Sequence, residues 1–244
     1  MSKTLIFLPC YNVEKKIEKV VNKIDIDIVK NKNIKFLFIN DNSSDGTVDK
    51  ITKVIKKHKL YGSIINNKKN LGYGGVQKVA FNFAIKKNFK YVLMLHGDNQ
   101  YPADKISNLL VELKTNKYDA VFGTRMHSIF SAYKGGMPIY KIIGNKFLTS
   151  LQNLILGTSM SEFHSGFRSY NVVSLKKINF KKFSNQFHFD TEIIISSLLK
   201  GFKIKEIPMP TFYGSEVSHL KSVPYCINVL KVTFKYILKN KKFL

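Results

Sequence analysis

The sequence predicts an α/β protein whose sheet is mostly parallel and carries helices on both faces. In the first half of its 244 residues, short apolar runs alternate with segments whose apolar residues recur at helical spacing. Regular alternation of this kind is typical of parallel strands joined by crossover helices. Because no internal repeat or linker-like stretch is visible, we expect one main domain, residues 1–220, followed by a basic amphipathic helix and tail, residues 221–244.

The predicted elements follow from the positions of the apolar residues. Strands are expected at the short apolar runs 4–8, 34–39, 63–66, 91–95, 120–123 and 203–207. Helices are expected where apolar residues recur every three or four positions, at 13–24, 48–59, 76–87, 104–114, 140–156, 190–199 and 223–238. From Arg125 onward the regular alternation stops, and we expect a loop at 128–137 and a dense polar segment at 160–170.

The composition favours phosphorylated or anionic partners over nucleic acid. A formal net charge of +24 would suit a nucleic-acid-binding protein. However, all but two of the 40 Lys and Arg residues are lysine, and nucleic-acid readers rely on arginine for bidentate and stacking contacts. We therefore expect no nucleic-acid partner, and we expect attraction to phosphorylated substrates and anionic lipid head groups.

The cysteines and the lengths of the apolar runs indicate a cytoplasmic protein. Cys10 and Cys226 are too few and too far apart for a disulfide framework, and are expected to be packed thiols. No apolar run resembles a signal segment or approaches the ~20 residues of a spanning helix. Lysine-bearing apolar stripes at 140–156 and 223–244 fit a peripheral position on the inner face of the cell membrane, although both segments could instead pack on the sheet.

Polar residues gather in loops that follow four predicted strands. These loops are 9–12, 41–45, 70–75 and 96–100. Because the carboxyl ends of parallel strands meet at one edge of a sheet, Asp41, Asp45 and Asp98 are expected to lie together. In a chain with only 16 acidic residues, this cluster indicates a site for Mg²⁺ or Mn²⁺ and for nucleotide hydroxyls. The alternatives are Asp/Ser/Gly turns, helix caps and a tight glycine turn.

A series of motifs in the chain resembles those of the family 2 glycosyltransferases. The first half contains LPCYN at 8–12, INDNSSDGT at 39–47, NLGYGG at 70–75 and LHGDNQYP at 95–102. The second half contains GTR at 123–125, GGMPIYKIIGNKFLT at 135–149, SEFHSGFRSY at 161–170 and FHFDTEI at 187–193. In this order the motifs are most similar to the dolichyl- or polyprenyl-phosphate mannosyl- and glucosyltransferases, and the resemblance covers residues 4–220.

The resemblance implies a GT-A fold, a nucleotide-diphosphate sugar as donor and inversion at the anomeric carbon. The residues that it places at the donor are Pro9, Tyr11 and Asn12 around the base, Asp41 on the base or ribose, Gly72 in the glycine-rich loop, Asp98 at the metal and β-phosphate, and Arg125 at the diphosphate. His96 stands where the family's metal motif usually has its first aspartate. It is expected either to bind the Mg²⁺ or Mn²⁺ cofactor beside Asp98 or to be a packed residue.

A second set of residues is expected at the acceptor. Asp190 matches the acidic position that deprotonates the acceptor in many family members, although it could instead cap the helix that follows it. Arg168 and His164 are predicted to contact an acceptor phosphate, and a structural salt bridge is the alternative for each arginine. His219 is a further candidate.

Together these features predict a metal-dependent inverting glycosyltransferase that acts on a polyprenyl phosphate or a surface-glycan precursor. One alternative is a sugar nucleotidyltransferase, which would need a loop rich in Gly and Arg or Lys after the first strand. This chain has Pro9–Asn12 there, without either feature. The other alternative is a non-enzymatic basic binding protein.

Overall fold

A seven-stranded sheet organises the chain in a computed structural model that describes residues 3–211, 213 and 222–238. The strands are β1 (Thr4–Cys10), β2 (Ile34–Asn40), β3 (Gly62–Asn66), β4 (Tyr91–Met94), β5 (Ala120–Thr124), β6 (Arg168–Asn171) and β7 (Ile204–Pro208). Their order across the sheet is β3-β2-β1-β4-β6-β5-β7. Only β6 is antiparallel to its neighbours β4 and β5, so the predicted mostly parallel sheet is confirmed for the described residues.

Helices cover both faces of this sheet, as predicted. They are α1 (Ile17–Asn22), α2 (Ile26–Lys30), α3 (Thr47–Lys57), α4 (Gly72–Lys86), α5 (Ile106–Lys114), α6 (Ile129–Lys134), α7 (Ile139–Leu156), α8 (Val172–Leu175), α9 (Phe189–Leu199) and α10 (Ser222–Leu238). Successive side chains of a strand point to opposite faces. Accordingly, Ile6 and Leu8 of β1 join the core under α1, α3 and α5, whereas Leu5 and Phe7 join the core under α4 and α9.

Four elements differ from the predictions. The helix α8 was not predicted because its four residues are too few to show helical spacing, and the other three differ for further physical reasons. The strand β6 lies in the predicted polar segment because its buried residues include Arg168 and Ser169, which do not read as an apolar run. The helix α6 lies in the predicted loop 128–137, and it begins where the Ser128 hydroxyl accepts a hydrogen bond from the Ser131 N–H. The short helix α2 was not predicted, and it buries none of its residues.

The glycine-rich segment 70–75 is the first turn of α4 rather than a free loop. Gly74 donates its N–H to the Asn185 carbonyl at 2.8 Å. A Cβ at position 74 would lie 2.5 Å from the Ser184 carbonyl oxygen and 2.7 Å from Phe189 Cβ. The glycine therefore allows another segment of the same chain to approach the helix, and this close approach contributes to packing at the cavity edge.

The amphipathic helices α7 and α10 pack on the domain and on each other. The buried face of α7 combines Ile142 and Leu148 with polar Thr149 and Gln152. Val229 and Thr233 of α10 are fully buried, and the helix contacts α7 and α9. The described part of the predicted tail is thus packed against the rest of the protein. Among the described residues, no helix combines the length and apolar character needed to cross a membrane.

Candidate active site

A cavity of about 490 Å³ opens at the carboxyl ends of β1, β2 and β4. The predicted site residues that line it are Pro9, Tyr11, Asn12, Asp41, Gly72, His96, Asp98, Arg125, His164 and Asp190. Arg168 lies behind the cavity wall, and His219 lies outside the described residues. The structure therefore brings almost all of the predicted residues to one place. Seven of the ten come from the four loops that follow strands ending at one edge of the sheet, and Arg125, His164 and Asp190 come from later segments.

In the cavity wall, the buried Asp41 carboxylate accepts three hydrogen bonds from residues at or just before the start of α4. Its Oδ1 accepts hydrogen bonds from the Leu71 N–H and from Asn67 Nδ2, each at 2.8 Å, and its Oδ2 accepts one from the Gly72 N–H at 2.9 Å. Gly72 has φ +76°, a conformation that glycine adopts readily. Asp41 thus fixes the local backbone.

The neighbouring Asp45 has a structural role that matches the turn and cap alternative. Its Oδ1 accepts a hydrogen bond from the Thr47 N–H at 3.1 Å, at the first residue of α3. Its Oδ2 accepts one from the Glu14 N–H at 3.2 Å. Asp45 does not line the cavity, so the expected cluster of three aspartates around one ligand is wrong for this residue.

His96 and Asp98 follow β4, and their side chains are of types that coordinate divalent cations. Asp98 Oδ1 accepts a hydrogen bond from the Gln100 N–H at 3.1 Å. The His96 ring lies between Tyr73 and Tyr101, with ring centroids 5.8 and 4.7 Å away. Its Nε2 is buried without a hydrogen-bond partner, and burial lowers its pKa, although Asp98 opposes the shift. A carboxylate and a neutral imidazole are compatible with Mg²⁺ or Mn²⁺.

These two side chains do not form a complete metal centre on their own. Within the described residues, no group of three or more His, Cys, Asp or Glu side chains is arranged to hold a metal ion. A cation at this position would therefore take its remaining oxygen ligands from a bound substrate or from water. Shared coordination of this kind is usual for Mg²⁺ at phosphate sites.

Also in the cavity wall, the Asp190 carboxylate is bound by three side chains. Its Oδ2 accepts a hydrogen bond from Tyr73 Oη at 2.8 Å, and its Oδ1 accepts one from Gln77 Nε2 at 2.9 Å. The Arg168 guanidinium forms an ion pair with Oδ1 at 3.2 Å. The helix α9 begins at Phe189, after His188 as its N-cap residue, so the alternative of Asp190 as the cap is wrong.

Arg168 is a buried ion-pair partner of Asp190. Its side chain is only 1 % exposed. The guanidinium also donates to the Phe163 carbonyl at 2.8 Å and to the Asp190 carbonyl at 3.3 Å. The structure thus contains the salt bridge that the sequence left as the alternative. The predicted contact of Arg168 with an acceptor phosphate does not match this placement, because the side chain does not reach the cavity surface.

Arg125 forms a second ion pair, with Glu162, but it stays at the cavity wall. Glu162 accepts hydrogen bonds from Arg125 Nη2, from Arg125 Nε at 3.2 Å and from the Arg125 N–H at 2.7 Å. Asn145 Nδ2 on α7 donates to the same carboxylate at 2.9 Å. Burial alone would raise the pKa of Glu162, but Arg125 lowers it below its ordinary value. This pair connects β5, α7 and the 160–166 segment.

His164 connects the cavity to α10. Its Nδ1 lies 2.8 Å from Tyr225 Oη, with the two rings almost perpendicular, and its Nε2 is buried without a partner. Burial lowers the pKa of His164 to about 4, although nearby Glu162 opposes the shift. The α10 helix therefore contributes directly to the site through Tyr225 and Cys226.

The sequence reasoning missed several residues of the site. These are Tyr73 and Gln77 on α4, Tyr101, Glu162 and Tyr225. A signal existed for Glu162, because it is the only acidic residue between Asp119 and Asp190 and lies in one of the quoted motifs. Tyr73 lies in the NLGYGG motif, but nothing in its spacing indicates a partner 117 residues away.

Comparison with known proteins agrees with this arrangement. The family described as "Glycosyl transferase family 2" matches residues 5–179. The chain belongs to glycosyl transferase family 2. The predicted family is therefore confirmed, and the chain is a glycosyltransferase.

Individual relatives and solved structures show which known proteins this glycosyltransferase is similar to. It is 27 % identical over 237 residues to an uncharacterized protein of Methanocaldococcus jannaschii, covering 94 % of this chain and 97 % of the relative. It is 25 % identical over 227 residues to a UDP-N-acetylglucosamine–dolichyl-phosphate N-acetylglucosaminyltransferase of Methanococcus voltae, covering 87 % and 88 %. Glucosyl-3-phosphoglycerate synthase of Mycobacterium tuberculosis, solved with Mn²⁺, UDP and glucosyl-3-phosphoglycerate, has a TM-score of 0.69 at 13 % identity, covering 96 % and 79 %. That likeness confirms the predicted GT-A fold.

We predict that His164 makes the stability of this glycosyltransferase depend on pH. Its pKa is about 4 in the folded chain, whereas an unfolded histidine titrates near ~6.5. Between these values the unfolded chain binds more protons, so the free energy of unfolding should fall as the pH falls from ~6.5 towards 4. The difference in the free energy of unfolding between pH 7 and pH 5, measured by urea denaturation, should therefore be smaller for His164→Gln than for the wild type.

The exposed His127 provides the matched control for this measurement. His127→Gln should keep the wild-type difference between the two pH values, because this side chain is exposed and lies outside the cavity. Other buried histidines titrate in all three proteins and cancel in the comparison. An identical pH difference in His164→Gln and the wild type would contradict a buried neutral imidazole at this position.

Proposed function

We propose that this glycosyltransferase moves a sugar from a nucleotide-diphosphate sugar to a polyprenyl phosphate, with inversion at the anomeric carbon. The observation that carries the proposal is the lining of the cavity. It combines the strand-edge loops that contain Asp41 and Asp98 with residues of α7 and α10, whose outer faces expose apolar side chains. The Methanococcus relative, named for a dolichyl-phosphate acceptor, and the UDP-bound structural neighbour support the same pairing of donor and acceptor.

The donor is assigned to the part of the cavity that is lined by the loops following β1, β2 and β4. Pro9, Tyr11 and Asn12 would surround the base. Asp41 would accept a hydrogen bond from the base or the ribose through Oδ2, which binds the Gly72 N–H, because Oδ1 already accepts from Asn67 and Leu71. Asp98, with His96 beside it, would hold Mg²⁺ or Mn²⁺. When bound, such a cation neutralises the charge that develops on the leaving diphosphate.

The acceptor is assigned to the part of the cavity next to Asp190. Arg125 and Lys141 also line the cavity and bring positive charge to it. An acceptor oxygen would form the new bond to the anomeric carbon as the bond to the diphosphate oxygen breaks, and the electron pair leaves with the nucleoside diphosphate. Asp190 would accept the hydrogen bond or proton of the acceptor O–H. Because Arg168 balances its charge, Asp190 need not repel an anionic phosphate.

The lipid acceptor implies a peripheral position on the inner face of the cell membrane. Large apolar side chains are exposed on α6, α7 and α10, and we call this set the apolar surface: Ile129, Phe130, Tyr133, Ile139, Tyr140, Ile143, Phe147, Leu154, Val223, Ile227 and Phe234. On α7 these residues recur at helical spacing opposite the buried face. Contiguous exposed apolar side chains next to lysines favour binding to an anionic bilayer surface.

The donor and metal assignment predicts that Asp98→Asn abolishes transfer. Purified protein is incubated with UDP- and GDP-sugars, a polyprenyl phosphate and Mn²⁺ or Mg²⁺, and release of nucleoside diphosphate is followed. We expect lipid-dependent release that EDTA stops, and a loss of about 10²-fold or more in Asp98→Asn because charge neutralisation at the diphosphate is weakened.

Asp104→Asn is the matched control, because Asp104 is exposed, lies outside the cavity and forms an ion pair with the adjacent Lys105. It should keep wild-type activity. Full activity in EDTA together with full activity of Asp98→Asn would overturn the metal assignment. Release of pyrophosphate from a nucleoside triphosphate and a sugar phosphate would instead favour a nucleotidyltransferase.

The membrane assignment predicts salt-sensitive binding to anionic vesicles through the apolar surface. Each lysine near such a surface contributes about 1 kcal/mol, and salt screens this attraction. In vesicle flotation, Phe130→Ser/Phe147→Ser should bind at least about tenfold more weakly than the wild type, because two exposed rings no longer enter the interface. Val111→Ser changes an equally exposed side chain on α5 and should bind normally. Equal binding of all three proteins, or none to anionic vesicles at low salt, would contradict this surface.

A further inference from the structure

The side chain of Tyr73 is held in one orientation by three neighbours. Its ring stacks on Phe187, with centroids 5.0 Å apart and planes 25° from parallel. Its other side faces the His96 ring at 5.8 Å. Gly166 leaves the space that the hydroxyl needs, because a Cβ there would lie 2.9 Å from Tyr73 Oη and 2.5 Å from His96 Nε2. The hydroxyl is thereby directed at Asp190.

The hydrogen bond from this hydroxyl orients one specific oxygen of Asp190. Gln77 and Arg168 both bind Oδ1, whereas Tyr73 is the side chain that binds Oδ2 among the described residues. Without Tyr73, contacts at Oδ1 alone would let the carboxylate rotate about its Cβ–Cγ bond. Burial and the nearby Asp190 raise the pKa of Tyr73 well above its ordinary value, so the phenol remains a donor at neutral pH.

Tyr73 also stands next to the residue that Asp41 holds. Gly72 donates its N–H to Asp41 Oδ2 at 2.9 Å, and the following residue, Tyr73, donates its hydroxyl to Asp190 Oδ2 at 2.8 Å. Two adjacent residues in the first turn of α4 thus connect two carboxylates of the cavity lining, Asp41 and Asp190.

We propose that Tyr73 is a positioning residue that sets the orientation of the Asp190 carboxylate towards the acceptor, an inference that rests on the proposed function. Tyr73 acts through Asp190 and forms no bond to the reacting atoms. A rigid carboxylate on the first turn of α9 and a phenol on the first turn of α4 make the acceptor end of the cavity a fixed structure before any substrate arrives. Such preorganisation lowers the barrier of the transfer step and leaves donor binding unchanged.

The test is Tyr73→Phe, which removes the hydroxyl and keeps the ring that stacks on Phe187. We expect kcat for transfer to polyprenyl phosphate to fall about tenfold or more, while KM for the nucleotide sugar changes less than about twofold. Tyr91→Phe is the matched control. Tyr91 is more deeply buried than Tyr73, and its hydroxyl donates to Asn116 Oδ1 at 2.9 Å outside the cavity, so this variant should keep the wild-type kcat.

A double-mutant comparison tests whether Tyr73 acts through Asp190. In an Asp190→Asn background, Tyr73→Phe should have no further effect on kcat, because there is no carboxylate left to orient. If Asp190→Asn does not fold or is too slow to measure, Asp190→Glu replaces it. This variant keeps the charge next to Arg168 but moves the carboxylate by one methylene from the position that Tyr73 orients, so Tyr73→Phe should again have no further effect on kcat. Circular dichroism and melting temperature establish folding for every variant.

The outcomes separate the two proposals. A slow Asp190→Asn with a wild-type kcat in Tyr73→Phe would overturn the positioning role alone. An equal loss from Tyr73→Phe with and without Asp190 would also overturn it, since Tyr73 would then act elsewhere. A wild-type kcat in Asp190→Asn would overturn the proposed function of Asp190 and the positioning role together.

Discussion

The buried ion pair between Arg168 and Asp190 is the interaction on which the acceptor end of the site depends. Arg168 lies on β6, the one antiparallel strand of the described sheet, and Asp190 lies on the first turn of α9. Through Asp190 the pair also holds Tyr73 on α4, and through the Phe163 carbonyl it holds the 160–166 segment. Removing two charges from water is costly unless their mutual geometry is good and further hydrogen bonds support them. The pair therefore requires α4, α9 and β6 to keep one mutual arrangement, and the cavity wall follows from it.

Buried carboxylates have the same function in three parts of this strongly basic chain. Asp41 binds backbone N–H groups at the start of α4, Glu162 binds the backbone and guanidinium of Arg125, and Asp190 binds Arg168 with two uncharged donors. In each case a carboxylate joins segments that are distant in sequence at the rim of the cavity. The net charge of +24 arises largely from exposed lysines, so the few acidic residues are available for these internal positions. The result is a rigid cavity that keeps positive charge from Arg125 and Lys141 at its surface.

The sequence was informative wherever apolar periodicity or strand ends determine the structure. It predicted the α/β class, nearly all strands and the edge of the sheet where Asp41, Asp98 and the other loops meet. It missed β6, because a strand that buries Arg168 and Ser169 lacks the apolar signature. Local pattern also could not separate Asp41 from Asp45, since both follow the same strand and only tertiary contacts decide which of them faces the cavity. The partners of Asp190 were likewise beyond reach, because they come from two elements, α4 and β6, that are distant from it in sequence.

The most direct test of this account is a double-mutant cycle on the Arg168–Asp190 pair, with the free energy of unfolding measured by urea denaturation. Arg168→Met and Asp190→Asn should each cost about 3–5 kcal/mol, because each leaves a buried partner without its counterpart. The double variant should cost at least about 2 kcal/mol less than the two single losses combined, since neither charge then remains unpaired. Losses below about 1 kcal/mol, or losses that add to within about 0.5 kcal/mol, would contradict the central role of this ion pair.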